Sequence, residues 1–102
     1  MDLDRNGGVT AMDALNNRIL ELLEPGELSQ WAVWRKLNES GTRISYSGVT
    51  SRLLLLGACN LLCFEDRRDE KDRFRVLYVR YWRLSGVGQI RLEKLREARK
   101  NG

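Results

Sequence analysis

The sequence predicts an α+β domain, mainly α: three helices, a two-stranded β-hairpin and a C-terminal helix. Three observations predict it. Apolar residues recur at helical spacing in three early segments, each preceded by a hydroxyl able to cap a helix. A short apolar run and a run rich in Val, Tyr and Trp flank a charged loop, the pattern of a hairpin. A last amphipathic stripe begins behind Ser85. At 102 residues the chain is long enough for one compact domain.

The first ten residues are polar, with Asn6-Gly7-Gly8, and read as a flexible lead-in. Met12, Leu15, Ile19, Leu22 and Leu23 then mark a helix over Ala11–Glu24, capped by Thr10 and stopped by Pro25-Gly26. Ser29 caps a second helix, Gln30–Glu39, whose inward stripe is Ala32, Val33 and Leu37 and which ends at Ser40-Gly41. Trp31 and Trp34 cannot both join that stripe. Trp34 is expected to pack on the first helix, leaving Trp31 for a surface contact. Ser45 caps a third helix with Val49, Leu53 and Leu56 inward, ending near Cys59-Asn60, where Asn takes a left-handed conformation.

Leu61–Glu65 reads as a short strand, residues 66–72 as a charged loop and Phe74–Leu84 as the returning strand. Arg73, Arg75, Arg80 and Arg83 keep part of that strand's surface wet and positive. Ser85 caps the last helix, Gly86–Lys100. Val87, Ile90, Leu95 and Ala98 form its apolar stripe, with Leu92 to the side.

Composition removes whole classes of chemistry. Without histidine there is no Ser/His/Asp triad, no Cys/His pair, and no imidazole base or zinc ligand. Two cysteines, Cys59 and Cys63, cannot complete a four-thiolate site; their apolar neighbours suggest small core residues rather than redox groups. An enzyme is not expected, and neither a cofactor nor a metal is implied. No residue pattern identifies a small-molecule effector. The longest apolar run, Leu53 to Cys59, is far short of the roughly 20 residues of a membrane span. The polar N-terminus shows no signal segment, so a cytoplasmic location is expected.

The net charge of +4 is uneven: residues 1–51 carry −2 and residues 52–102 carry +6. A basic half set against an acidic half suggests a surface for a polyanion, although a basic solvated face would look the same.

Helix, helix, helix, hairpin, helix is the order of a winged helix-turn-helix domain. The stretch Ile44-Ser45-Tyr46-Ser47-Gly48-Val49-Thr50-Ser51-Arg52-Leu53, followed by Leu56 and Asn60-Leu61-Leu62, resembles the recognition-helix region of MarR- and PadR-like transcriptional regulators. Tyr81-Trp82-Arg83-Leu84-Ser85-Gly86-Val87-Gly88 is similar to their Tyr-x-Leu-Thr-x-x-Gly signature, where the last wing strand enters a helix. The resemblance covers residues 11–98 and extends to small repressors of archaeal viruses. Asn60 stands where those families have Gly, and Leu54 and Leu55 fill positions that are often charged there.

The resemblance implies double-stranded DNA as partner, with a recognition helix over about 46–58 in the major groove. Tyr46, Ser47, Thr50 and Ser51 are then the groove-facing set, Ser45 lies at the helix start, and Arg52 reaches a base or a phosphate. Gly48 either permits close approach or is merely tolerated. Arg43 precedes the helix within reach of the phosphate backbone. Arg67, Arg68, Lys71 and Arg73 lie on a wing over 66–73; acidic neighbours make a solubilising turn as good a reading of that loop as DNA contact. The alternative for the polar helix face is simple solvation.

Four consecutive leucines, Leu53 to Leu56, cover more of the helix than one core face needs. Residues 11–84 are expected to form the DNA-binding domain. Residues 85–102 are expected to form a dimerisation element through Val87, Ile90, Leu95 and Ala98, giving a homodimeric repressor or other transcriptional regulator. The alternatives are a winged-helix protein-interaction module, or DNA binding for plasmid or viral replication or partition.

Overall fold

The computed structural model describes residues 14–69 and 77–101. Thr10, Met12, the lead-in, Lys71, Arg73 and Phe74 lie outside the described residues. Within them the order is helix α1 (residues 14–23), strand β1 (Leu28–Ser29), helices α2 (Gln30–Glu39) and α3 (Tyr46–Ala58), strands β2 (Leu62–Arg68) and β3 (Tyr78–Leu84), and helix α4 (Gly86–Asn101). This is the expected α+β, mainly helical arrangement.

The three expected caps that lie within the described residues are where the sequence placed them. Ser29 Oγ accepts from Ala32 N (3.1 Å), Ser45 Oγ from Gly48 N (3.0 Å) and Ser85 Oγ from Gly88 N (2.9 Å). Each satisfies one of the amides that a helix start leaves without an intrahelical partner. The ends of α2 and α3 are the same device used twice. Gly41 N reaches Asn38 O (3.2 Å) and Thr42 N reaches Leu37 O (3.0 Å); Asn60 N reaches Gly57 O and Leu61 N reaches Leu56 O, both at 3.0 Å. Both are Schellman motifs, which need a left-handed residue just past the cap. Gly41 (φ +97°) and Asn60 (φ +64°) supply it.

Three strands form one antiparallel sheet in the order β1-β3-β2. Leu62 pairs with Leu84, Phe64 with Trp82, Asp66 with Arg80 and Arg68 with Tyr78. The hairpin is therefore longer on its first side than expected: Asp66, Arg67 and Arg68 belong to β2, because each is paired across the ladder, and Leu61 lies just before it. β1 was not foreseen. Two residues are too few to show an alternation, and Leu28 and Ser29 are extended by pairing with Trp82 and Tyr81.

The core joins every helix to the sheet: Ile19, Leu20 and Leu23 from α1, Val33 and Leu37 from α2, Val49, Leu53 and Leu56 from α3, with Leu61, Leu62, Trp82 and Leu92. Trp34 is half-buried and packs against the core; its indole donates to Ile44 O (3.0 Å) and its ring meets Tyr46 edge-on, tying α2 to the start of α3. Three side chains take other positions than the sequence suggested. Leu92, not the stripe beside it, is the α4 residue in the core at 1% exposure, whereas Val87 and Ile90 are more than half exposed. Cys59 is exposed and Cys63 only half-buried, because Leu56, Leu61 and Leu62 fill the core around the end of α3.

Gly88 explains why α4 starts where it does. A Cβ there would lie 2.0 Å from Leu61 O, the same carbonyl that accepts from Ser85 N at 3.1 Å. The first turn of α4 docks on the backbone that follows α3, and only glycine fits. Farther along, Arg96 pairs with Glu24 and Arg99 Nη1 with Glu21 Oε2 (2.9 Å), fastening the helix to α1.

Candidate nucleic-acid interface

Helix α3 presents two faces with opposite chemistry. Val49, Leu53 and Leu56 are buried, while Ser47, Ser51, Leu54 and Ala58, at spacings of four, three and four, form an exposed stripe on the other side. The helix carries no acidic residue, and Arg52 is its single charge. Ser45 serves as the cap, with its hydroxyl also 3.3 Å from Ser47 Oγ. Gly48 has a packing reason: a Cβ would stand 3.0 Å from Ile44 Cγ1 and 3.1 Å from the capping Ser45 Oγ.

Tyr46 and Thr50 sit at the seam between the two faces, and a residue the sequence did not single out holds them there. Gln30, the first residue of α2, donates from Nε2 to Thr50 Oγ1 (3.0 Å) and to the Tyr46 hydroxyl (3.3 Å). Its Oε1 accepts from the buried Trp82 indole at 3.0 Å. Thr50 Oγ1 in turn donates to Tyr46 O (3.0 Å). Trp82 also lies under α3 at Gly57, where a Cβ would come within 3.3 Å of its ring. Sheet, α2 and α3 thus meet at one amide. Sequence separations of 16, 20 and 52 residues give no linear signal of that junction.

The arginines divide into two sets. Arg43 is exposed, Arg52 half-buried and Arg68 exposed, and among the described residues none of the three is in an ion pair. Arg67 is engaged: it pairs with Glu27, reaches Glu65 Oε1 (3.2 Å) and lies over the Tyr81 ring at 4.5 Å. Arg80 grips Asp66 with two bonds (2.7 and 3.0 Å) while resting 3.9 Å over Phe64. These hydrogen bonds hold the carboxyls of Glu27, Glu65 and Asp66 below their ordinary values and raise both arginines. Of the expected wing cations, Arg67 is neutralised in place, Arg68 stays available, and Lys71 and Arg73 lie outside the described residues.

The register sets which wing residues accompany α3. Phe64, Asp66 and Arg68 alternate onto one face with their partners Trp82, Arg80 and Tyr78. Trp82 on that face packs against α3, so Arg80 and Arg68 stand on the same side of the sheet as the helix. Among the described residues there is no grouping of side chains able to hold a metal, and no helix long and apolar enough to cross a membrane.

No family model matches the chain, and no curated protein does. Solved structures do match in fold. A PadR-like transcription factor from Bacteroides fragilis superposes with a TM-score of 0.82 at 20% identity, over 95% of this chain and 90% of that one. A PadR-like transcriptional regulator from Bacillus cereus gives 0.71 at 20% identity, covering 84% and 81%. Bacillus subtilis PadR in complex with operator DNA gives 0.70 at 22% identity over 82% of this chain; the match spans 47% of that longer protein. The fold is the winged helix of PadR-like regulators.

Proposed function

We propose that this chain binds double-stranded DNA sequence-specifically as a small homodimeric transcriptional regulator. The observation that carries the reading is the outward face of α3: hydroxyls at Ser47 and Ser51 in its first two turns, no acid anywhere on the helix, and the unpaired Arg43 and Arg52 beside it. An α-helix fits the major groove, and residues near its N-terminus reach base edges. Residues 11–84 form the DNA-binding unit, with α3 in the groove and the wing over 66–73 near the backbone or minor groove, where Arg68 is the available described cation. The match in fold to a PadR solved with operator DNA supports this reading.

The dimer is assigned to residues 85–102. Val87 and Ile90 leave an apolar patch on α4 (56% and 54% exposed), with Ala98 exposed and Leu95 half-buried farther along. A two-fold copy covering that patch would set two recognition helices on half-sites about 34–36 Å apart, one turn of the duplex. Occupying such a site blocks or redirects polymerase. The same binding at an origin or partition site would instead serve replication, and mapping the number and position of bound sites separates the two.

The test is fluorescence anisotropy with a pooled random duplex, titrated in salt. Each neutralised phosphate contributes nearly one unit to the slope of log affinity against log salt. A slope of several units is expected. Absence of binding at low salt overturns the DNA reading and turns attention to α4 and Leu54–Leu55 as protein contacts.

A further inference from the structure

The outward stripe of α3 is not polar throughout. Behind Ser47 and Ser51 comes Leu54, 48% exposed, on a helix whose own core needs are met by Val49, Leu53 and Leu56. Leu54 follows Ser51 by three residues, an advance of about 4.5 Å along the axis. Leu55, though equally exposed, is turned about 100° away from it. Along its stripe Leu54 follows two serines, and the helix carries no acid. Hydroxyls beside an exposed apolar side chain suit a partner that sets hydrogen-bonding edges next to small apolar groups. The major groove offers one such group, the 5-methyl of thymine.

We infer that Leu54 is a specificity-determining residue that reads thymine methyl groups, while Ser47 and Ser51 face the hydrogen-bonding edges of the neighbouring base pairs. The inference rests on the DNA-binding reading above and deepens it. It assigns the protein a site with one or more thymines under the third turn of α3, where a regulator carrying a charged residue would prefer a hydrogen-bonding base. Removing the methyl forfeits apolar contact at a cost of about fourfold in affinity for each methyl buried.

The experiment uses the full chain and a duplex enriched from a random pool by that chain. The duplex is resynthesised with deoxyuridine in place of one thymine at a time, which deletes the methyl and keeps the base-pairing pattern. Wild-type protein is expected to lose about fourfold in affinity at one or two positions and little elsewhere. Leu54→Ala, exposed and still a good helix former, is expected to bind thymine and uracil duplexes equally, and Leu54→Met to retain the preference. Equal binding of both duplexes by the wild type overturns the inference and leaves the DNA reading intact. A preference that survives in Leu54→Ala assigns the methyl to another residue and overturns it too. Failure to enrich any duplex removes both.

Discussion

The side-chain amide of Gln30 stands between Trp82 and Thr50: it accepts from the buried indole at 3.0 Å and donates to the hydroxyl at 3.0 Å. One end of the contact is in the core and the other at the edge of α3. The amide is suited to this place because it is donor and acceptor at once. Trp82 is fully buried, so its N–H must find a partner inside the protein. That requirement orients the amide, and the amide then holds Thr50 and Tyr46.

Gln30→Ala should therefore destabilise the domain. Leaving the Trp82 N–H unpaired costs about 1–3 kcal/mol, seen as a lower urea midpoint with an unchanged slope. An unchanged midpoint would mean that the indole does not depend on Gln30.

Gly88→Ala should be more damaging than its chemistry suggests. The added Cβ meets the Leu61 carbonyl at 2.0 Å, and neither backbone can yield without lifting the first turn of α4. Overpacking of this kind costs roughly 1–3 kcal/mol or more. Gly86→Ala is the control, since nothing lies within 4 Å of a Cβ there. Thermal unfolding of the two variants should separate them clearly, and equal melting temperatures would refute the docking argument.

Asp66→Asn should strengthen DNA binding. The carboxylate grips Arg80 on the sheet face shared with α3. Removing its charge frees a guanidinium for phosphate and should steepen the salt dependence by about one unit. A slope equal to wild type would place Arg80 away from the DNA.

Arg52→Ala should weaken DNA binding without unfolding the protein, since Arg52 lies outside the core and in none of the described ion pairs. Affinity lost uniformly across sequences, with a slope reduced by about one, identifies a phosphate contact; a loss of about 1–3 kcal/mol at one base pair identifies a base contact. Unchanged affinity would remove Arg52 from the interface.

Stability should be flat near neutrality and fall in acid. The chain has no histidine, so no side chain with an ordinary pKa between 5 and 8 is present. Hydrogen bonds from Arg96, Arg67 and Arg80 lower the pKa values of Glu24, Glu27, Glu65 and Asp66 in the fold. A carboxyl lowered on folding stabilises above its unfolded pKa, and that contribution is lost as pH falls through the folded value. The decline should begin near pH 4–5, around the ordinary carboxylate values of about 3.9–4.3, and high salt should blunt it. A stability maximum in acid would contradict these pairings.

The sequence by itself determined the order of the helices and the hairpin, and the capped helix ends. Ser29, Ser45 and Ser85 cap, and Asn60 turns left-handed, because each of these devices works within a few residues of backbone. It also determined which α3 residues face inward, since a period of 3.6 leaves little choice for Val49, Leu53 and Leu56. What tertiary structure decided lies between distant segments. It drew Leu28 and Ser29 into a sheet, put Leu92 into the core in place of its neighbours, and left Cys59 in solvent. It also sorted the described arginines of the hairpin: Arg67 is held by Glu27 and Arg80 by Asp66, while Arg68 is in none of the described ion pairs. Charge counts cannot make that distinction. An ion pair forms between side chains brought within about 4 Å, and Arg67 meets Glu27 across 40 residues only because β1 lies beside β3.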